Sequence, residues 1–294
     1  MAAKMKPPIF EYSAPGTIAE AVALLQADPG AMVLAGGQSL VPAMNFRLAN
    51  PTRLVDIQRI PDLSGIHVKD NTLVVGAMVR HRDLELSEIA YRANPLIRQA
   101  LAHVAHIPIR NRGTIVGSLC HADAAAELPM VLVLTGGSVL AVGASGTREI
   151  AAENFFQFHM TTSRKQDEVV TEARFPVLPQ GAGYAFEEFT RRHGDYAIAA
   201  VGAIVQKDAS GAAHVSLAAC GVSSRPIRLK AAEAVLEGST VTAAEMELAG
   251  DAAKEVVTTP DDMHASREYR RHLLATLVRR ALGRASARAT GSKR

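Results

Sequence analysis

Three short segments hold residues whose types and spacing could do chemistry. The first is Ala35-Gly36-Gly37-Gln38-Ser39-Leu40, set between an apolar run and a helical pattern. Gripping a phosphate takes backbone N–H groups with no Cβ in the way, and a helix N-terminus adds a favourable dipole. Paired glycines followed by Ser39, an N-cap candidate, supply those parts. The same residues would equally make a plain strand-to-helix turn. The second segment runs Arg110-Asn111-Arg112-Gly113-Thr114-Ile115-Val116-Gly117-Ser118-Leu119-Cys120-His121-Ala122-Asp123. Glycines and small hydroxyl residues again precede a helix, here expected from Ala124. Two such loops suit one anionic ligand held from both sides, as a pyrophosphate is; solvated arginines on a surface loop are the plainer reading. Asp123 and Glu127 would charge a helix start, and Glu127 could instead accept hydrogen bonds from ligand hydroxyls. His121 is either a structural hydrogen-bonding residue or a reactive one. The third segment, Thr190-Arg191-Arg192-His193-Gly194-Asp195-Tyr196, is a charged turn or a loop whose Tyr196 covers a flat ring.

Other chemistries lack their parts. There is no G-x-G-x-x-G opening a helix and no G-x-x-x-x-G-K-S/T, which disfavours a Rossmann dinucleotide site and a P-loop. No Ser/His/Asp order, H-E-x-x-H or paired-carboxylate spacing stands out, so a bound cofactor that carries the chemistry fits better. Two cysteines, Cys120 and Cys220, are too few for a disulfide framework, a zinc site or an iron–sulfur cluster. They point to a reducing, cytoplasmic setting. The 32 basic and 29 acidic side chains leave a net charge of +3, too balanced for a nucleic-acid-binding face. No apolar run reaches the roughly 20 residues of a membrane span, and Met1 to Pro8 has no apolar core of a secretion signal.

The elements that must position these segments read as α+β. Residues 1–57 form an α/β unit. In it Thr17 and Glu20 make a capping box for a helix, Met32 to Ala35 is a strand buried on both faces, and Arg53 to Ile57 returns as a strand. A hairpin over Gly65 to Ala77 turns at Asp70-Asn71, and helices follow near Arg82 to Glu88 and Pro95 to Ala105. The stretch Ile107 to Asp123 resists assignment. An apolar helix over Ala124 to Thr135 and strands at Ser138 to Val142 and Glu168 to Phe175 complete a unit spanning about 58–178. After a Pro/Gly linker, residues 179–283 give three antiparallel strands and then three helices, which packs helices on one sheet face. Residues 284–294 are expected to be a disordered tail.

In this order the segments resemble the FAD-binding medium subunit of the molybdenum hydroxylase family, the carbon monoxide dehydrogenase and xanthine dehydrogenase type. Ala35 to Leu40 is similar to that family's A-G-G-x-S-L. Arg110 to Pro129 resembles its R-N-x-G-T-I-G-G-N/S-x-x-H-A/G-D-P-x-x-D/E-x-P, and Arg191 to Ala197 its R-R-x-G-D-F/Y-A. Tyr269-Arg270-Arg271-His272-Leu273 adds to the likeness, which covers Phe10 to Leu282. The resemblance implies a two-subdomain α/β FAD-binding domain of the PCMH type, then an α+β domain over a three-stranded antiparallel sheet. It assigns the FAD pyrophosphate to Ala35, Gly36, Gly37, Gln38 and Ser39 with Thr114, Ile115, Gly117 and Ser118, and counts Leu40 among the cofactor-binding residues. His121, Asp123 and Glu127 would line the cofactor, with Glu127 near the ribityl hydroxyls and Asp195 and Tyr196 near the isoalloxazine. It implies partners too: a small subunit with 2Fe–2S clusters and a large subunit with the molybdenum cofactor, in a dimer of heterotrimers. Val116 replaces the first glycine of T-I-G-G, and Ala124 a frequent proline. The Val116 methyls would crowd a phosphate approached through its N–H. Rival readings are a self-contained FAD oxidase or reductase, a non-catalytic nucleotide-binding module, and a structural subunit that has lost FAD.

Overall fold

The computed structural model describes residues 6–290. The N-terminal unit is β1 (Glu11–Ser13), α1 (Ile18–Ala27), β2 (Ala31–Leu34), α2 (Leu40–Asn45) and β3 (Arg53–Asp56), with a parallel sheet in the order β1-β3-β2. Thr17 Oγ1 accepts from Glu20 N–H, but the Glu20 carboxylate turns to Gly16 N–H, so only half of the predicted capping box forms.

The second unit opens with the hairpin β4 (Ile66–Lys69) and β5 (Thr72–Gly76), turning at Asp70 and Asn71 with φ of 48° and 57°. The helices α3 (His81–Leu86), α4 (Glu88–Ala93), α5 (Pro95–Leu101), α6 (Ile107–Arg110), α7 (Ile115–His121) and α8 (Glu127–Leu134) follow. Then come β6 (Ser138–Gly143), β7 (Gly146–Ala151), α9 (Ala152–Phe155), β8 (Phe156–Phe158), β9 (Thr161–Thr162) and β10 (Val169–Pro176). The five-stranded antiparallel sheet runs β4-β5-β10-β6-β7. Where one helix was expected over Arg82 to Glu88, Ser87 at ψ 118° breaks the chain into two. The unassigned stretch is two short helices, and the helix expected from Ala124 starts at Glu127 instead. Ala122 takes a left-handed φ of 52° and ends α7 at His121, and residues 122–126 turn the chain into α8.

The C-terminal unit is β11 (Gly183–Phe189), β12 (Ala199–Lys207), β13 (Ala213–Cys220), β14 (Ile227–Arg228), α10 (Lys230–Leu236), α11 (Ala243–Ala253) and α12 (Arg267–Arg288). The three expected strands pair antiparallel, and two-residue β14 adds a short fourth on β13. One sheet face, with Val201, Ala203, Val215 and Leu217, packs with α10 to α12. The other, with Phe186, Ala200, Ile204, Ala218 and Cys220, joins the core of the N-terminal half. Every residue of α8 is buried, because α8 lies between the two halves: a Cβ on Gly202 of β12 would stand 2.6 Å from Leu134 Cδ2. A helix covered on all sides has no polar face to show in its sequence.

The expected disordered tail is corrected through residue 290. Helix α12 continues to Arg288 with Ala285 fully buried, and Thr290 N–H donates to Gly181 O at 3.0 Å. Gly183 makes this possible, since a Cβ there would lie 1.9 Å from Ala285 O. The rest of the tail, 291–294, lies outside the described residues.

Candidate functional site

The first loop leaves strand β2 and enters α2. Gly37 has φ +72°, a left-handed conformation that glycine adopts without strain. Gln38 folds back, its Nε2 donating to Gly36 O at 3.1 Å. Ser39 sits at the N-cap but makes no side-chain cap bond. The N–H groups of Gly36, Gly37, Gln38, Ser39 and Leu40 find no acceptor among the described residues. Five consecutive unpaired donors are what an anion needs, and what a loop serving only as a turn tends to avoid.

The second loop is pinned from three sides. Arg110, buried, donates from Nη1 to Val104 O at 2.9 Å and Ala105 O at 3.1 Å, and from Nε to Glu85 Oε2 at 3.2 Å. His81 N–H donates to Gly113 O and Ile115 N–H to Val79 O. Arg80 Nη1 donates to Arg112 O, and its Nη2 reaches Gln58 Oε1 at 3.4 Å. Burial pushes the His81 imidazole down to about 4, so it packs as a neutral ring against Gly113. Thr114 caps α7 by accepting from Gly117 N–H at 3.1 Å, and a Cβ on Gly117 would lie 2.5 Å from Thr114 Oγ1. Thr114 and Ile115 are buried, so these two positions offer a ligand only backbone.

The two loops touch through backbone. A Cβ on Gly36 would stand 2.4 Å from Arg112 O and 2.8 Å from Gly113 Cα. The third segment arrives from the other half: a Cβ on Gly194, itself at φ +86°, would lie 2.7 Å from His106 Cε1. The Tyr196 ring is half exposed. Burial raises its hydroxyl, and the charges of Asp123 and Glu127 raise it further. Asp123 Oδ1 accepts from Ala125 N–H at 2.9 Å and shapes the turn into α8. Glu127, the first residue of α8, is buried, and burial pushes its carboxyl up to about 7. His121 is half-buried at the end of α7, its imidazole held down by burial. Asp195 is exposed in the turn, its N–H donating to Arg192 O. The arrangement thus brings the first loop, through Gly36, against residues 112–114 of the second, and Gly194 of the third segment against His106. Sequence reasoning passed over Arg80, Gln58 and His106, which carry no motif and enter through tertiary contact alone.

The expected crowding by Val116 is corrected. Its side chain is 3% exposed and lies in the core, while its N–H has no acceptor among the described residues. The methyls point away from the loop face. Val116→Gly should therefore destabilise the chain by about 1 to 3 kcal/mol, from a lost buried side chain and a glycine inside a helix. Thermal unfolding measures it, and an unchanged midpoint with tighter FAD binding would restore the crowding account.

A two-domain chain with a double loop rich in unpaired N–H groups in its N-terminal half is the class these observations define. A family model described as FAD binding domain in molybdopterin dehydrogenase matches residues 8–178, and one described as CO dehydrogenase flavoprotein C-terminal domain matches residues 184–285. The chain is 41% identical over 292 residues to the 6-hydroxypseudooxynicotine dehydrogenase complex subunit alpha of Paenarthrobacter nicotinovorans, covering 98% of each. It is 35% identical to the carbon monoxide dehydrogenase medium chain of Hydrogenophaga pseudoflava, covering 97% of this chain and 99% of that one. A solved structure of the carbon monoxide dehydrogenase of that organism, lacking the Mo-pyranopterin moiety of its cofactor, matches with TM-score 0.94 at 37% identity, over 97% of this chain and 99% of that chain. The chain belongs to the family of FAD-binding medium subunits of molybdenum hydroxylases. It is a flavoprotein subunit of a multi-subunit dehydrogenase. Among the described residues no helix is long and apolar enough to cross a membrane.

Proposed function

We propose that FAD lies in the junction with its pyrophosphate on the free N–H groups of Gly36 to Leu40 and on the Thr114–Ser118 start of α7. Its ribityl hydroxyls would meet Glu127, its ring Asp195 and Tyr196, and His121 and Asp123 would line the wall between. The observation that carries this reading is the run of unpaired N–H groups pressed against a second loop through Gly36. When bound, FAD would supply the redox chemistry between the 2Fe–2S clusters of a small partner subunit and an external acceptor. The protein's own residues hold, orient and shield it. Oxidation of the substrate belongs to the molybdenum cofactor of a large partner subunit. Two similar relatives are named for carbon monoxide and for 6-hydroxypseudooxynicotine, chemically unlike molecules, which supports a substrate choice made outside this chain. The complex is read as a dimer of heterotrimers in the cytoplasm, where the free thiols of Cys120 and Cys220 suit a reducing setting.

The purified chain should carry one non-covalent FAD, released on acid denaturation. Absorbance and the supernatant of the denatured protein report this. A colourless chain whose unfolding midpoint does not move when FAD is added would refute it.

A further inference from the structure

Electrons handed over by iron–sulfur clusters arrive without protons. Two-electron reduction of a flavin ring nevertheless takes up at least one proton, so the balance is flavin plus two electrons plus one proton giving the reduced monoanion. A group at the junction that holds a proton at neutral pH could supply it.

Glu188 has the required setting. It shares one rung of the C-terminal sheet with Ala200 and Cys220, on the face turned toward the N-terminal half. Phe186, Ala200 and Ala218 make that face apolar. The Glu188 side chain is 2% exposed, and its Oε2 is buried with no hydrogen-bond partner. The α7–α8 turn sits directly on this rung: Cys220 Sγ lies 3.5 Å from Ala125 O, and Gly221 N–H donates to Ala124 O at 2.9 Å. That turn leads into Glu127. Neither carboxylate pairs with an arginine or lysine among the described residues. His103, after α5, brings its Nδ1 to 3.9 Å from Glu188 Oε1, and its side chain is 37% exposed to solvent. Asp123, Tyr196 and Cys220 are the other titratable groups facing the two carboxyls.

We propose that Glu188 and Glu127 hold a proton between the two domains and supply it to the cleft when the cofactor is reduced, the store being refilled from solvent through His103. The proposal rests on the FAD reading of the junction. Physically, an unpaired buried carboxylate is costly to ionise, and the charge of a second acid makes ionising it costlier still. Burial, then the charge of Glu127, pushes Glu188 up to about 8. Burial, then the charge of Asp123, pushes Glu127 up to about 7. Burial, together with His193, keeps the His103 ring below its ordinary value and hence neutral, able to accept and pass on a proton.

Two measurements on the full chain test this, using Glu188→Gln, which keeps shape and cannot ionise. In the FAD-free chain, both carboxyls are raised in the folded state. Their proton-linked stability is complete below the ordinary value of 4.5 and declines as pH rises toward 7 to 8. The unfolding midpoint of the wild type should fall across that window, and the fall should be smaller in Glu188→Gln. In the FAD-loaded chain, dithionite supplies electrons without hydride. The rate of flavin bleaching should drop as pH passes about 8 in the wild type, and in Glu188→Gln should be at least about tenfold slower and flat with pH, since a positioned acid is worth about 100-fold or more. Glu188→Asp should keep the pH dependence. Identical rates and profiles in wild type and Glu188→Gln overturn the proposal while leaving the FAD site standing. A chain that binds no FAD overturns the reading of the junction itself.

Discussion

Valine at Gly36 should abolish FAD binding. The new Cβ would sit 2.4 Å from Arg112 O, 2.8 Å from Gly113 Cα and 3.0 Å from Thr114 N, all backbone atoms. Backbone pinned by Arg80, His81 and Ile115 has no rotamer by which to yield. The loops must part, and the free N–H groups on one would no longer share a ligand with α7 on the other. Overpacking of this kind costs about 1 to 3 kcal/mol of stability. The loss in affinity should be larger, at least 100-fold, or about 3 kcal/mol, because the cradle is made of both loops. Gly37→Ala provides the contrast. Its Cβ would meet Leu34 Cδ1 and Val41 Cγ2 at 3.4 Å, side-chain ends that can shift, and the cost is the left-handed φ of +72°, about 1 to 2 kcal/mol. FAD content after gel filtration and a fluorescence titration give both answers. Full flavin occupancy in Gly36→Val would falsify the double-loop cradle.

Arg110→Ala is the second large effect, and it acts at a distance from any ligand. The guanidinium satisfies the carbonyls of Val104 and Ala105 and pairs with Glu85, and all three lose this contact together. Glu85 keeps only Arg82 Nη1, at 2.9 Å. Leaving two buried carbonyls without a donor and Glu85 with one partner fewer costs about 3 kcal/mol. The chain just after Ala105 carries His106, on which Gly194 of the third segment rests, and the chain after Arg110 carries the second loop. The variant should therefore lose several degrees of thermal stability and bind FAD more weakly. Arg110→Lys should recover little, because one ammonium cannot serve two carbonyls and a carboxylate in a planar fork. If Arg110→Ala unfolds at the wild-type temperature, the second loop is held by its other contacts alone.

Much of the architecture was legible because it is written locally. Alternating or continuous apolar runs bounded by turn residues marked the hairpin at Asp70-Asn71 and the strands β11 to β13, whose periodicity needs only nearest neighbours. Helix α7 was not legible. Its glycine and polar content argues against a helix, and it forms because Thr114 caps it and Ile115, Val116 and Leu119 are buried against the core. The tail misread has the same cause. Residues Gly283 to Arg288 look small and basic, yet Ala285 is buried on β11 and Arg288 donates to Tyr184 O at 2.7 Å.

The sequence alone determined the motif set and, through the order of its segments, the family to compare with, since residue types and short spacings are properties of the chain. It also placed Gly36, Gly37, Thr114 and Gly117 in loops that suit an anion. Only the tertiary structure decided which way a side chain points and what lies opposite it. Val116 looked like an obstruction until packing turned its methyls into the core, and Glu188 carried no motif that singled it out. Pairing β11 with β12 and laying that sheet face on the α7–α8 turn buried the Glu188 side chain without an arginine or lysine partner among the described residues. Side-chain direction and local dielectric depend on residues far apart in the chain, here about 60 positions, which no local pattern records.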